Sequence, residues 1–439
     1  MKLQSYLLLL AAGLSIGGCS LDISNPNSPS ENQVLTTRDG LFALAIGVQQ
    51  NYAGSALEAA ILASGMSSRE VVANSTFLNL IELEQGGNAL PPGNANVLAV
   101  WSRHYRVIDM ADQIITNAPN VDMTAGTRSG ILATAYLFKA MSLGNLAQAF
   151  EQMPLDVQAD GKAPFRPRAE AFVLAVSLLE QARDLLLATP VSSEFTSKIQ
   201  PTGFNLANTI QARLARYSLL AGVYANDNAQ LNKAITAANA VVPAQTSVFP
   251  FDTRTINPVF NQISINNYSP RDSLGTPLFQ AGDGRLAFWT TPSTATSNPG
   301  GYRIETVRGF FDASTKSIAA FLPGEMRLIR AEVYARLGQT ANAVAEIDSI
   351  RMKQASADPF GIGANLTAYS GPTTLTDLLT EIYRQRCAEL YMQGLRFEDS
   401  RRLGRVASLT NLIERNRNFY PYPQSERDNN PNTPADPAF

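Results

Sequence analysis

Apolar residues recur at helical spacing along most of this chain, and polar, turn-rich stretches separate the helical runs. Leu41 to Ala63 is apolar and alanine-rich, which predicts a first long helix. From Asn96 onward, Val100, Tyr105, Ile108, Ala111 and Ile115 follow one another at three to five residues, with Trp101 and Tyr105 on adjoining faces. Gly130–Phe150, Ala169–Leu187, Asn208–Tyr224 and Asn228–Val241 continue the habit. Ser64 to Gly93 breaks it: polar and glycine-rich, it ends in Gly86-Gly87 and Pro91-Pro92-Gly93 and reads as a long loop. Long loops in compact domains are usually functional. Pro243 to about Pro323 is rich in Pro, Asn, Gly, Ser and Thr, with short apolar pieces, and fits isolated β-hairpins and loops better than helix. A further loop, Ser356 to Thr376, precedes a last helical stretch.

Two helix pairs look alike. Ala221-x-x-Tyr224 is followed by Ala234-x-x-x-Ala238, and Ala331-x-x-Tyr334 by Ala343-x-x-x-Ile347. Small residues let two helices approach while a tyrosine fills the groove beside them. This is the spacing of tetratricopeptide pairs, although neither copy carries the full pattern. The predicted fold is therefore mostly α: a tetratricopeptide-like scaffold at 31–242 and 324–354, interrupted by a loop-rich insertion at about 243–323 with short β-hairpins.

The C-terminal stretch, 376–439, organises the rest. Its helical part holds Arg386, Glu389, Leu390, Gly394, Arg396, Asp399 and Arg402. Arg386 and Glu389, and likewise Asp399 and Arg402, are spaced to meet on one helical face, where an exposed pair is worth roughly 0.2–0.5 kcal/mol. Gly394 predicts a break or a close contact, since mid-helix it would cost about 1 kcal/mol. The tail from Phe419 to Asn432, with Pro421, Pro423 and Pro431, reads as non-helical, and Glu426 and Asp428 read as tying it down. This order of helix and tail resembles the end of the SusD/RagB family of outer-membrane nutrient-binding lipoproteins. In that family a helix of the form E-x-x-R-x-x-E-L-x-x-E-G-x-R-x-x-D-L-x-R precedes a P-I-P-x-x-E-x-x-x-N-P tail. The chain departs at Gln393, where Glu is usual, and at Ser400, where Leu is usual.

The first residues read as an export signal, 1–18: a basic Met1-Lys2, an apolar Leu7–Leu14, then Ile16-Gly17-Gly18 before Cys19. A Cys there is similar to the bacterial lipobox, which makes Cys19 the expected lipidation site and 19–30 a polar tether. Its Leu21-Asp22 and Asn25-Pro26-Asn27 also resemble the family's mature start. With Cys19 acylated, Cys387 has no disulfide partner and reads as a buried, inert thiol. His104 is the single histidine, too few for a metal cluster or a second triad.

Composition narrows the function. Of 439 residues, 45% are hydrophobic and only 16% charged, against about 25% in average proteins. With 35 basic and 37 acidic residues there is no concentrated positive footprint for nucleic acid. No phosphate loop, His-Glu-x-x-His or Cys-x-x-Cys occurs, so no cofactor, metal or catalytic residue is assigned. Carboxylates are plentiful, and a glycosidase pair depends on a separation that sequence does not give. The resemblance implies instead one SusD-like domain over 31–439, lipid-anchored in the outer membrane and facing the cell exterior. It would capture an oligosaccharide, or in some members a peptide, for a SusC-like TonB-dependent transporter. A helical-repeat scaffold holding other proteins is the remaining alternative. A sugar site needs exposed rings and orienting polar groups. The ring candidates are Trp289, Tyr302, Phe288 and Tyr268 in the insertion and Phe77 in the first loop.

Overall fold

The computed structural model describes residues 31–409 and 414–438; the export signal, Cys19 and the tether lie outside them. A short helix α1 (Glu31–Thr36) precedes α2 (Arg38–Asn51), which Thr37 caps by accepting from the Gly40 amide at 3.2 Å. The expected first long helix is α2 continued by α3 (Leu57–Ser67), but a π-helical turn, Tyr52–Ala56, joins them. Leu41, Ala45, Val48 and Tyr52 are fully buried along the first half, and nearly every residue of α3 is buried. After β1 (Val71–Ala73), the expected long loop instead contains a two-turn helix, α4 (Leu78–Gln85). Leu80 and Leu83 explain it: three residues apart, they bury one face of an otherwise polar segment.

The scaffold helices follow in order. These are α5 (Ala95–Asn117), α6 (Ala125–Ala149), α7 (Arg168–Ala188), the short α8 (Ser193–Lys198), α9 (Leu206–Ala225) and α10 (Asn228–Ala240). Asn94, Thr124, Asn205 and Asp227 each accept amide hydrogen bonds at the starts of α5, α6, α9 and α10, as capping chemistry requires. A short antiparallel pair, β2 (Gln152–Pro154) with β3 (Phe165–Pro167), connects α6 to α7.

The insertion has the expected short strands and loops, and two short helices that were not expected. It holds β4 (Val248–Phe249), α11 (Pro258–Ser264), β5 (Tyr268–Pro270), α12 (Arg285–Trp289), a hairpin of β6 (Thr290–Ser297) and β7 (Arg303–Val307), and β8 (Ile318–Ala319). Its strands reach outside it: β5 pairs antiparallel with β1, placing Ala73 opposite Tyr268 and Val71 opposite Pro270.

The second repeat pair, α13 (Pro323–Arg336) and α14 (Thr340–Arg351), follows. Ala331, Ala343 and Ile347 are fully buried, as are Ala221 and Ala234 of α9 and α10, so both pairs pack through the small residues the spacing singled out. The C-terminal stretch forms α15 (Leu375–Glu389) and α16 (Arg396–Arg402), split at Gly394, whose φ of +73° ends the turn between them. One correction concerns the tail, where Gln424–Asn429 forms a short helix, α17. Pro423 stands at its N-cap, outside the turn that a proline would break.

A second correction concerns the charges. Arg386 and Glu389 do not meet, whereas Asp399 and Arg402 do, at 2.9 Å, and these charges are buried rather than exposed. Arg386 reaches Asp399 at 2.7 Å, and Arg402 grips Glu332 of α13 through two nitrogens at 2.9 Å each. Glu398 takes Arg168 of α7 at 2.8 Å and the Tyr224 hydroxyl of α9, while Glu389 takes Arg285 at 3.3 Å and Lys353. The C-terminal stretch is thus bolted by ion pairs to α7, α12 and α13 and by a hydrogen bond to α9. Glu426 also ties the tail down, accepting from Trp101 Nε1 at 3.3 Å and from Asn430 Nδ2 at 2.9 Å.

Candidate functional site

The site begins where α3 ends. Ser68 closes the helix and Arg69 turns the chain into β1 with φ of +71°, a conformation that L-residues other than Asn and Asp seldom adopt. Glycine is usual at this position after a helix. What holds Arg69 there is a second left-handed turn, Ser273–Gly275, with φ of 54°, 54° and 66°. A Cβ on Gly275 would lie 1.8 Å from the Arg69 carbonyl oxygen, so only glycine permits the contact. Arg396 spans that turn, donating to the carbonyls of Leu274 at 2.6 Å and Gly275 at 2.8 Å. Strain of this kind, held by its surroundings, is a feature of functional sites.

Arg69, Ser75, Glu84, Asn88, Gly300 and Tyr302 are among the residues lining a cleft of about 650 Å³. Arg69 Nη1 donates to the Glu84 carbonyl at 2.6 Å, and the same carbonyl accepts from Asn416 Nδ2 at 3.0 Å, fixing the end of α4. Tyr302 is placed by the 298–302 turn: its amide donates to Asn298 Oδ1 at 2.8 Å, while Asn298 Nδ2 donates to Ala73 of β1 at 2.6 Å. The Arg271 guanidinium stands 5.1 Å from the Tyr302 ring centroid. Burial raises the Glu84 carboxyl above its usual range, against the pull of Arg69 and of the Ala73 amide. It also lowers Arg69.

Arg69 Nε, Ser75 Oγ and Glu84 Oε1 are each buried with no hydrogen-bond partner among the described residues. Buried polar groups are nearly always paired, so these three are exceptions, and they lie behind the cleft surface, shut off from it. Among the described residues, the other main clefts do not combine these features. The cleft between α10, α13 and α14, about 670 Å³, has its charges already matched, Arg330 holding Glu346 through bonds of 2.5 and 3.0 Å. A third, about 390 Å³, is walled by Phe204, Phe249 and Phe251 and has no such unmet group. A cavity under α16 of about 20 Å³ has room for little more than a water molecule.

Of the rings expected to bind ligand, only Tyr302 lines this cleft. Trp289 is corrected outright: it is fully buried, its Nε1 donates to the Ala388 carbonyl at 2.8 Å, and Phe288, Phe310 and Tyr391 surround it. Tyr268 is 4% exposed on β5, where pairing with β1 turns it inward, so it offers no platform either. Phe288 is half-buried and packs edge-on against Trp289 and Phe310. Phe77 is exposed at the start of α4, outside the cleft lining. Cys19 lies outside the described residues. Arg69, Ser75 and Glu84 escaped sequence reading, although they fall in the Ser64–Gly93 segment marked as functional. Arg69-Glu70 before an apolar Val71-Val72 is a faint signal of buried charge.

Buried titratable groups elsewhere are structural. His104 is buried and held neutral, pushed down to about 3, with Nδ1 3.3 Å from Ser142 Oγ. Burial drives the Cys387 thiol up to about 11, an inert group as expected. Among the described residues no cluster of His, Cys, Asp or Glu could hold a metal ion, and no helix is long and apolar enough to cross a membrane.

Comparison with known proteins identifies the architecture. No family model matches the chain, and no curated protein matches its sequence. Solved structures do. A SusD superfamily protein from Bacteroides thetaiotaomicron superposes with a TM-score of 0.69 at 17% identity, over 92% of this chain and all of that one. A SusD-like carbohydrate binding protein from Bacteroides vulgatus gives 0.66 at 16% identity, over 90% of this chain and 97% of that one. A SusD/RagB family protein from Bacteroides thetaiotaomicron gives 0.65 at 16% identity, over 89% and 94%. The chain has the SusD fold, a tetratricopeptide-like helical scaffold carrying a loop-rich insertion.

Proposed function

We propose that this SusD-fold protein is a nutrient-binding lipoprotein of the SusD/RagB type, and that the cleft beside Tyr302 holds an oligosaccharide. The observation that carries the reading is a cleft of about 650 Å³ that the half-buried Tyr302 ring shares with the polar residues Ser75, Gln85 and Asn88. Sugars present both surfaces at once: CH faces that pack on rings and hydroxyls that pair with charged side chains. The fold comparison supports it, since a relative of the same architecture is described as carbohydrate binding. Binding rather than turnover fits the wall, where Glu84 is the one carboxylate among the described lining residues and glycosidases use two. Anchoring through Cys19, exposure at the outer-membrane surface and delivery to a SusC-like TonB-dependent transporter belong to the same proposal. They rest on the N-terminal sequence and on the helix-and-tail resemblance.

Calorimetric titration against oligosaccharides and peptides is the test. Tyr302→Ala is expected to lose about 1–3 kcal/mol of affinity, by analogy with ring stacking in other flat-ligand sites. Its melting midpoint should change little, because the ring is only half-buried. Peptide binding without glycan binding, or an unchanged affinity in Tyr302→Ala, would reject this site.

A further inference from the structure

We propose that Asn298 is the positioning residue of the cleft: its side chain ties Tyr302 to β1 and so sets the place of the ring on which a sugar packs; this rests on reading the cleft as a glycan site. Asn298-Pro299-Gly300-Gly301-Tyr302 forms the tip of the β6–β7 hairpin. Asn and Pro open tight turns readily, and a left-handed glycine, here Gly301 with φ of +81°, closes a three-residue hairpin loop. The Asn298 carbonyl accepts from the Gly301 amide at 3.0 Å, and the Asn298 amide donates to the Tyr302 carbonyl at 3.0 Å. Those backbone bonds close the loop without help from any side chain at 298.

The side chain has a separate task. Ser297, Pro299, Gly300 and Gly301 are exposed, whereas Asn298 is 5% exposed and turned into the body of the protein. Its Oδ1 accepts from the Tyr302 amide at 2.8 Å while its Nδ2 donates to the Ala73 carbonyl at 2.6 Å. Ala73 and Tyr302 both line the cleft and Asn298 does not, so one buried amide joins two parts of the lining from behind. The base of the hairpin is held separately, where Ile304 bridges to Arg271. The ring also has little slack, since a Cβ on Gly300 would come within 3.3 Å of its Cδ2 and Cε2. Removing Nδ2 leaves the Ala73 carbonyl short of its donor, a cost that is relieved when the tip lifts and water enters. A lifted tip carries the Tyr302 ring away from β1.

The test titrates the full chain with neutral hexose oligomers, in wild type, Asn298→Ala, Tyr302→Ala and the double variant, with a melting curve for each. Asn298→Ala is expected to bind about five-fold more weakly than wild type, or worse. The double variant should bind within about two-fold of Tyr302→Ala alone, because a residue that acts through the ring has nothing left to act on. A merely structural role would not produce that silence. Asn298→Ser keeps an oxygen that can close the turn but is too short to reach Ala73, so it should lose as much affinity as Asn298→Ala. Should Asn298→Ala fail to fold, Asn298→Ser and its double variant with Tyr302→Ala decide in its place. Wild-type affinity in a folded Asn298→Ala or Asn298→Ser would overturn the tie to β1 while leaving a glycan site intact. Losses that add in the double variant would likewise overturn it, because Asn298 would then act apart from the ring. If no oligomer binds the wild-type chain, the glycan reading falls and this proposal with it.

Discussion

Trp289 and Tyr302 sit close in sequence, both among polar residues, yet one is core and the other lines a cleft. Local composition could not separate them, because what buries Trp289 is α15, about a hundred residues further on, which accepts its indole N–H at Ala388. Trp289→Ala is therefore expected to cost about 3–5 kcal/mol of stability, as large core truncations do, read by denaturant unfolding. A loss below 1 kcal/mol would contradict this packing. Glu70 was equally hidden in the sequence. Its carboxyl is buried, pushed up to about 7 by that burial, with Arg396 and the Met392 amide opposing and Asp399 adding. Oε1 accepts from Met392 at 3.1 Å and Oε2 has no partner. Because the folded carboxyl binds its proton more tightly than the unfolded one, the folded state holds the extra proton between about pH 4.5 and 7. Stability from this group is thus full below about 4.5 and is lost as pH rises through 7, by up to about 3 kcal/mol. Glu70→Gln should abolish that decline in melts run from pH 5 to 8; an equally steep decline in the variant would remove Glu70 from the account.

At the scale of elements, the helices were legible because their apolar spacing and their Asn, Thr and Asp caps are local signals. The short helices α4, α8, α11, α12 and α17 were not. α4 buries only Leu80, Leu83 and Glu84 within a polar run, and α17 is a single turn behind Pro423. The Asp399–Arg402 pair was legible from intrahelical spacing, whereas the partners that Arg386, Glu389 and Arg402 find on other elements were not. In the fold, Glu332 and Glu398 are buried. Burial alone would raise their carboxyls, but Arg402 and Arg336 hold Glu332, and Arg168 and Arg401 hold Glu398, at about 2. These pairs contribute stability above the unfolded carboxylate range that is lost as pH falls from about 4.5 towards 2, the opposite sense to Glu70. Breaking one by Glu332→Ala should cost up to about 3–5 kcal/mol, because the buried Arg402 loses both bonds to it and keeps only Asp399. Replacing both, Glu332→Leu with Arg402→Met, should cost far less. Equal losses from the single and double variants would mean the pair acts by packing and not by charge.

For the whole molecule, the scaffold and the insertion were legible as a change in composition near Pro243, whereas the cleft was not. It is assembled from the turn after α3, from α4 and from the β6–β7 hairpin, which β1 pairing with β5 draws together across the chain. Anchoring belongs to this scale as well. Cys19→Ala should abolish labelling by a fatty-acid analogue and release the protein from membranes, and persistent labelling would refute lipidation at that position. The π-helical turn between α2 and α3 carries a consequence of its own. One surplus residue there advances the angular phase of everything after it by about 100°, the share of one residue in a 3.6-fold turn. It lets a single rod keep Leu41, Ala45 and Val48 inward on one side and aim Ile61, Leu62 and Met66 correctly on the other, ending at Arg69. Deleting Gly54, where an added Cβ would meet nothing within 4 Å, would leave local packing nearly untouched yet rotate the far half out of phase. Such a variant should keep its helical circular dichroism and lose ligand binding, which would make one residue's worth of rotation the reference from which the cleft is aimed.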